Sequence, residues 1–340
     1  MNNSFLYFLS KYLNNYLPLT VGVSKNTIKA YSDTFKLLFI FAKEKYKLNP
    51  KKVQLKTMNK KFILEFVDWT VITRNCSDTT RNLRLSNIKA FFSYIQTQIP
   101  SLALHSENIL QIPKKKVEKK VVDYITTKGI ELILQQPDTN TIIGKKHLVI
   151  LSFLYATASR VQELVDVTIE DFKYNNTDSI RLVGKGNKAR IVPLEPEFIL
   201  LLEKYIKYEK SHRTFFNLTD PLFLNPSCNK LTRQGITYIV KKYSKMAQQK
   251  DSKLIPFSVH PHTFRHSRAM ALLQASVELI YIRDFLGHSS VVTTEIYART
   301  SNIQTRKALL KVSPLQNSTE IPIWENDKNL LEYLKSLSDE

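Results

Sequence analysis

Apolar residues recur every three or four positions through four early segments, 3–17, 24–46, 57–73 and 77–98. Ile28, Tyr31, Phe35, Leu38 and Phe39 make one stripe, and Leu85, Ile88, Phe91, Phe92 and Ile95 another. That spacing predicts helices with one face in a core. Ser24 and Ser77 stand where N-caps are needed. Four such helices on short connections predict a small all-α domain. The pattern then breaks at 112–123, where five lysines crowd into the seven positions 114–120 beside Pro113. Mutual repulsion predicts an extended, solvated linker there.

A second body begins near Tyr124. Thr126 or Thr127 opens a helix ending near Gln136, and Lys145–Thr157 is apolar almost all round, which predicts a buried central helix. Ser179–Val183 and Ala189–Leu194 alternate like strands around Gly184-Lys185-Gly186-Asn187, predicting a β-hairpin with Lys185 at its tip. Residues 197–210 and 232–248 return to helical spacing. From His260 two His-bearing turns each lead into a helical pattern, and Leu286-Gly287-His288 is the second of them. Thr293 or Thr294 is placed to cap a short helix carrying Tyr297, and the helical pattern continues to about Leu310. A terminal stripe of Leu330, Leu331, Leu334 and Leu337 must cover itself on its own domain or on a neighbouring copy. The fold class is thus mainly α with a small β-hairpin: an all-α N-terminal domain and a mixed α/β second domain.

Charge changes the picture. The net charge is +20, with +10 on residues 1–113, +14 on 114–314 and −4 on 315–340. Two basic bodies favour nucleic acid over membrane, for which neither an amphipathic anchor nor a lipidation signal is seen. Lys25, Lys29, Lys36, Arg81, Arg84 and Lys89 give the helical domain a basic face, and Lys114, Lys115, Lys116, Lys119 and Lys120 could follow a phosphate backbone. Cys76 and Cys228 lie too far apart in sequence to suggest a disulfide framework or a CxxC metal site. With no apolar run of membrane length and no signal peptide expected, the chain reads as cytosolic.

The chemistry concentrates in HPHTFRHSRAMALL and LGHSSVVTTEIYA. His262 and Arg265 share one helix face at i and i+3, His288 follows a glycine turn, and Tyr297 comes nine positions later. Arg160 and Glu163 are also at i and i+3, at the end of the apolar helix, where an arginine needs an anion. Singly these are ordinary: HxxR is common, Arg160–Glu163 could be a salt bridge alone, and GKGN lacks the spacing of a nucleotide-binding loop.

Taken together, Arg160, Lys185, His262, Arg265, His288 and Tyr297 form an ordered set that closely resembles the tyrosine recombinase (phage-type integrase) family. YATASRVQEL, VGKGNKARIVPL, HPHTFRHSRAMALL and LGHSSVVTTEIYA carry the likeness. It covers about 124–310, while the N-terminal domain resembles the family's core-binding domain by architecture only. The resemblance implies a core-binding domain at 1–111, a linker at 112–123, a catalytic domain at 124–312 and a C-terminal segment at 313–340, possibly exchanged between protomers. It implies that Tyr297 attacks a DNA phosphorus to give a 3′-phosphotyrosine and a free 5′-hydroxyl. Arg160 and Arg265 would hold the nonbridging oxygens, and His262 would take or relay the tyrosine proton. His288 would bond the phosphate, Lys185 would protonate the leaving oxygen, and Glu163 would orient Arg160 or His262. No metal, ATP or other cofactor is expected. The partners implied are double-stranded DNA, gripped in a C-shaped clamp, and further copies of the chain: a dimer per site and a tetramer in synapsis. No separate arm-binding domain is expected ahead of the helical domain, which suggests a simple Xer-type or transposon-encoded enzyme. A type IB topoisomerase and an inactive DNA-binding descendant are the alternatives.

Overall fold

The computed structural model describes residues 4–49, 53–117, 123–172, 178–184, 186–212, 217–255, 257–288 and 294. The chain divides into two compact units, Met1–Lys120 and Val121–Glu340.

In the first unit α1 (Phe5–Lys11) runs directly into a π-helical stretch, Tyr12–Thr20, that contains Pro18. Proline has no N–H to give to the preceding turn, and the wider π turn makes room for its ring. Then come α2 (Lys25–Tyr46), α3 (Lys60–Ile72), α4 (Asp78–Gln98) and α5 (Ala103–Leu110). Ser24 and Ser77 cap α2 and α4 as expected, accepting from the N–H of Thr27 and Thr80 at 3.3 Å. Helix α5 was not expected; at eight residues it is too short to display a helical period. The core is aromatic, with Phe5, Tyr12 and Phe35 set edge-on or nearly so around Phe91 at 5.2–5.3 Å between ring centres.

The expected basic face needs correction. Arg81 lies on the same stripe as Leu85, Ile88 and Phe92, so it is 4% exposed and its Nε and Nη2 donate to Asp68 Oδ1 at 3.2 and 3.1 Å. It is a buried partner of α3, not a surface contact. Arg84 Nη1 meets Cys76 Sγ at 3.0 Å, and half-buried Lys89 donates to the carbonyl of Leu110 at the end of α5. Lys25, Lys29, Lys36, Lys114, Lys115 and Lys116 are exposed, while Lys119 and Lys120 lie outside the described residues. Nor is the start of the lysine segment a free strand. Asn82 donates to the Lys115 carbonyl at 2.8 Å and accepts its N–H at 3.0 Å, and Lys115 Nζ pairs with Asp78 at 3.2 Å.

The second unit holds α6 (Thr127–Leu134), α7 (Ile142–Thr157), α8 (Val161–Asp166) and α9 (Ile169–Phe172). Strands β1 (Ser179–Val183) and β2 (Ala189–Pro193) pair antiparallel with Val183 opposite Ala189, the hairpin expected. There follow α10 (Pro196–His212), α11 (Arg233–Lys250), α12 (Pro261–Gln274) and α13 (Leu279–Leu286). Helix α7 is the buried one, with Ile150, Leu151, Phe153 and Leu154 all at 0% exposure. It packs against α10 on one side and α12 on another. A smaller apolar cluster of Ala158, Ala269, Met270, Leu273, Ile282 and Leu286 fastens α13 to α12 and to the end of α7. That cluster fixes the ends of three helices relative to one another.

Three helix starts in this unit share a threonine cap whose hydroxyl accepts from a glycine three residues on: Thr126 from Gly129, Thr141 from Gly144 and Thr232 from Gly235. The glycines are not equivalent. A Cβ on Gly144 would lie 1.9 Å from the Asp138 carbonyl oxygen, whereas on Gly235 it would meet only Thr232 Oγ1 at 3.5 Å. Gly144→Ala should therefore destabilise by at least about 2 kcal/mol. Gly235→Ala should be neutral or stabilise by up to about 1 kcal/mol. Urea unfolding of the two variants checks this; equal effects would contradict it.

Candidate active site

The residue that begins the site is Arg160, delivered by an abrupt end to α7. Ala158 adopts a left-handed conformation, φ 46°, which is unfavourable for a residue with a Cβ. Its carbonyl is taken up by Arg265 Nη1 at 2.7 Å, so the strained turn is held by a side chain from α12. Arg160 then stands at the start of α8. Its backbone N–H donates to Glu163 Oε2 at 2.8 Å and its Nη1 to Oε1 at 2.7 Å. The i, i+3 pair read from the sequence is thus formed, and it is not a simple surface bridge. Glu163 is 3% exposed, and a second arginine completes it.

That second arginine is Arg190 on β2. Its Nη1 and Nη2 donate to Oε1 and Oε2 of Glu163 at 2.9 and 2.8 Å, and its Nε donates to the Phe285 carbonyl at 3.0 Å. Arg190 is not among the site residues expected from the sequence, although the sequence carries a signal for it. In the strand alternation it belongs to the inward set with buried Val192, where a charge needs a partner.

The end of α13 is where the arginines converge. The carbonyl of Phe285 accepts from Arg190, that of Leu286 from Arg265 Nη2 at 2.5 Å, and that of Gly287 from Arg160 Nη2 at 3.3 Å. The last carbonyls of a helix lack partners within it and carry partial negative charge, so three guanidiniums in a row satisfy them. Gly287 turns the chain with φ 64°, and a Cβ there would lie 2.9 Å from Arg190 Cδ. Both constraints require glycine at this position.

His262 and Arg265 sit in the first turn and a half of α12, with Arg265 3% exposed. Crowding by surrounding protein lowers the His262 pKa from its ordinary value, and the charges of Arg265 and Arg160 lower it further. His288 follows Gly287. Burial, then Arg265, Arg160 and Arg190, depress it to about 4, so it is neutral near pH 7. Its Nδ1 lies 3.0 Å from the hydroxyl of buried Thr294. If Nδ1 accepts from that hydroxyl, the ring's one proton is on Nε2, ready to donate. For Glu163, burial alone would raise the pKa, but the bonds and charge of Arg190 and then Arg160 lower it. It is ionised.

The structure therefore brings together Arg160, Glu163, His262, Arg265 and His288 from three helix ends, with Arg190 added. Gly184, just before Lys185, is also in place: a Cβ on it would meet Glu163 Oε1 at 3.1 Å and Arg160 Nη1 at 3.5 Å. Lys185 and Tyr297 themselves lie outside the described residues, as do the helix expected beyond Thr294 and the segment 313–340. Among the described residues no group of three or more His, Cys, Asp or Glu side chains could hold a metal. None of their helices is long and apolar enough to cross a membrane.

Comparison with known proteins places this arrangement. Residues 123–303 match the Phage integrase family, and residues 9–98 match the Phage integrase N-terminal SAM-like domain. The chain belongs to the phage integrase family. Tyrosine recombinase XerD of Staphylococcus epidermidis is 31% identical over 314 residues, covering 90% of this chain and 98% of the relative. XerD of Staphylococcus haemolyticus is 30% identical over 306 residues, again 90% and 98%. Among solved structures, the integrase of the Tn1549 transposon in complex with transposon right-end DNA has a TM-score of 0.66 at 17% identity, covering 90% of this chain and 99% of that one. The XerH site-specific recombinase bound to its difH substrate after cleavage gives 0.65 at 23%, covering 83% and 78%. These two likenesses concern the fold, which is that of a phage-integrase-family protein.

Within this site burial, reinforced by the neighbouring arginine charges, keeps the imidazoles uncharged, and that is measurable. In an NMR titration of the full chain, the rings of His288 and of His266, four residues after His262 on α12, should protonate with midpoints near 4, about 2.5 pH units below the ordinary 6.5. Because the unfolded chain binds those protons more readily, stability should fall as pH drops from 6.5 towards 4. Midpoints at the ordinary value would contradict the electrostatic picture.

Proposed function

We propose that this member of the phage integrase family is a tyrosine-type site-specific DNA recombinase that cuts and rejoins strands through a 3′-phosphotyrosine. The observation that carries the reading is the excess of positive charge at the end of α13. Arg160 and Arg190 share one carboxylate, Glu163, and all three arginines, Arg265 included, converge on the carbonyls that end α13. A cluster so charged needs an anion, and a scissile phosphate supplies one.

The steps follow from the charges involved. A phosphodiester repels nucleophiles, and an alkoxide leaves poorly. Arg160 and Arg265 offer N–H donors in fixed forks to the nonbridging oxygens, whose charge grows as attack proceeds. Tyr297 Oη gives up its proton to His262, directly or by relay, and bonds to phosphorus. The bond from phosphorus to the 5′ oxygen breaks, and Lys185 donates the proton that makes it a hydroxyl. His288, neutral and held by Thr294, donates a hydrogen bond to the same phosphate. In the reverse step a 5′-hydroxyl attacks the phosphotyrosine, so the bond energy is kept and no ATP is consumed. All the positive charge invoked comes from side chains.

The substrate is double-stranded DNA, contacted by exposed lysines of the first unit, including Lys114, Lys115 and Lys116. Full exchange between two sites calls for a dimer on each site and a tetramer in synapsis, with the acidic segment 313–340 as the link between protomers. Deleting 322–340 should abolish synapsis while leaving cleavage of a single site intact; unchanged synapsis and strand exchange would remove that role.

The decisive experiment uses a nicked duplex carrying a site selected by the wild-type chain from random-sequence DNA. Wild type should be trapped as a covalent adduct and Tyr297→Phe should not. Arg160→Ala and Arg265→Ala should each slow adduct formation by about 10²–10³-fold. An adduct formed by Tyr297→Phe would overturn the reading.

A further inference from the structure

Arg190 is committed on every side. Its side chain is 10% exposed, its two terminal nitrogens occupy both oxygens of Glu163, and its Nε is bound to the Phe285 carbonyl. A guanidinium whose fork is already closed on both oxygens of a carboxylate has its charge met and is poorly placed to take hold of a second anion, unlike Arg265, which is bound to the neutral carbonyls of Ala158 and Leu286. Arg160 differs: a third of its side chain is exposed, and it meets Glu163 through a single terminal nitrogen at Oε1.

The consequence for Glu163 is geometric. Arg160 reaches both oxygens, through its own N–H at Oε2 and Nη1 at Oε1, and the bidentate fork of Arg190 engages the same two oxygens from β2, so the carboxylate plane is held from a second element. The same side chain lies against Gly287, where a Cβ would approach its Cδ to 2.9 Å, and the Gly287 carbonyl is the one that receives Arg160 Nη2. Arg190 thus fixes both acceptors of Arg160, the carboxylate on α8 and the carbonyl after α13, from a strand that belongs to neither.

We propose that Arg190 is a positioning residue for strand cleavage, which holds Glu163 and the end of α13 so that Arg160 is aimed at the scissile phosphate. This rests on the reading of Arg160 as a phosphate ligand. Arg190 touches neither substrate nor nucleophile in this scheme, and its effect passes entirely through Arg160. Lysine cannot replace it, since one ammonium cannot span two carboxylate oxygens and the Phe285 carbonyl at once.

The test must separate this role from three others: a merely structural one, direct DNA binding, and support of Lys185 on the same hairpin. Full-length Arg190→Ala, Arg190→Lys, Glu163→Gln and the Glu163→Gln/Arg190→Ala double variant would be assayed on the selected nicked duplex, with wild type and Tyr297→Phe alongside. A second duplex would carry sulfur in place of the leaving 5′ oxygen, so that a thiolate departs without needing a proton. Both Arg190 variants should melt as a single folded species and bind DNA as wild type does. Each should form adduct about 100-fold more slowly at saturating protein, the loss typical of a misplaced catalytic group. The deficit should be the same on the sulfur duplex, and the double variant should be no slower than the slower single one. Recovery on the sulfur duplex would assign Arg190 to Lys185 instead. A deficit explained by weaker binding, multiplying losses in the double variant, an unchanged rate, or loss of folding in both variants would each overturn the proposal. Absence of adduct from wild type would instead refute the underlying reading of the site.

Discussion

The gathering of three guanidiniums at one helix end, with a single carboxylate shared by two of them, is the arrangement on which the rest of this molecule depends. Glu163 is buried and ionised, one negative charge shared by Arg160 and Arg190, while Arg265 is bound to the carbonyls of Ala158 and Leu286. A buried excess of cations is costly unless an anion completes it. The end of α13 supplies part of that completion with three successive carbonyls, each accepting from a different arginine. Helix dipole and carboxylate together make the cluster tolerable in the empty protein, yet they leave net positive charge for a phosphate to meet.

The fold serves to bring those groups to one place. Arg160 comes from the start of α8, Arg190 from β2 and Arg265 from α12, so no local segment could assemble them. The apolar cluster that joins α12, α13 and the end of α7 sets their spacing. The left-handed turn at Ala158 aims the chain into the site, and Arg265 secures it. Packing and electrostatics are therefore not separable here: the buried arginine that could take phosphate also closes a helix end. Burial lowers the His288 pKa, and the same arginine field lowers it further, so its ring is neutral near pH 7.

Much of this was legible in the chain before folding. The i, i+3 spacings of Arg160 with Glu163 and of His262 with Arg265 survive intact, because such pairs are local properties of a helix. The glycine turn before His288 and the hairpin around Gly186 likewise follow from short-range rules. What could not be read was anything set by tertiary contact. Arg190 looked like one charge in a strand until Glu163 lay across from it. The charge of Arg81 points to the surface, but its place on the stripe of Leu85 and Ile88 puts it inside. Helices α5 and α13 are too short for periodicity to reveal, and α13 matters most by the carbonyls at its end, which no side-chain pattern advertises.

If the arginine cluster exists to balance the growing charge on phosphate oxygens, removing that charge should make it dispensable. The direct measurement is adduct formation by wild type and Arg160→Ala on a duplex whose scissile phosphate is replaced by an uncharged methylphosphonate. The defect of Arg160→Ala on ordinary DNA should shrink greatly or vanish on the neutral linkage. An equally large defect on both substrates would contradict the account.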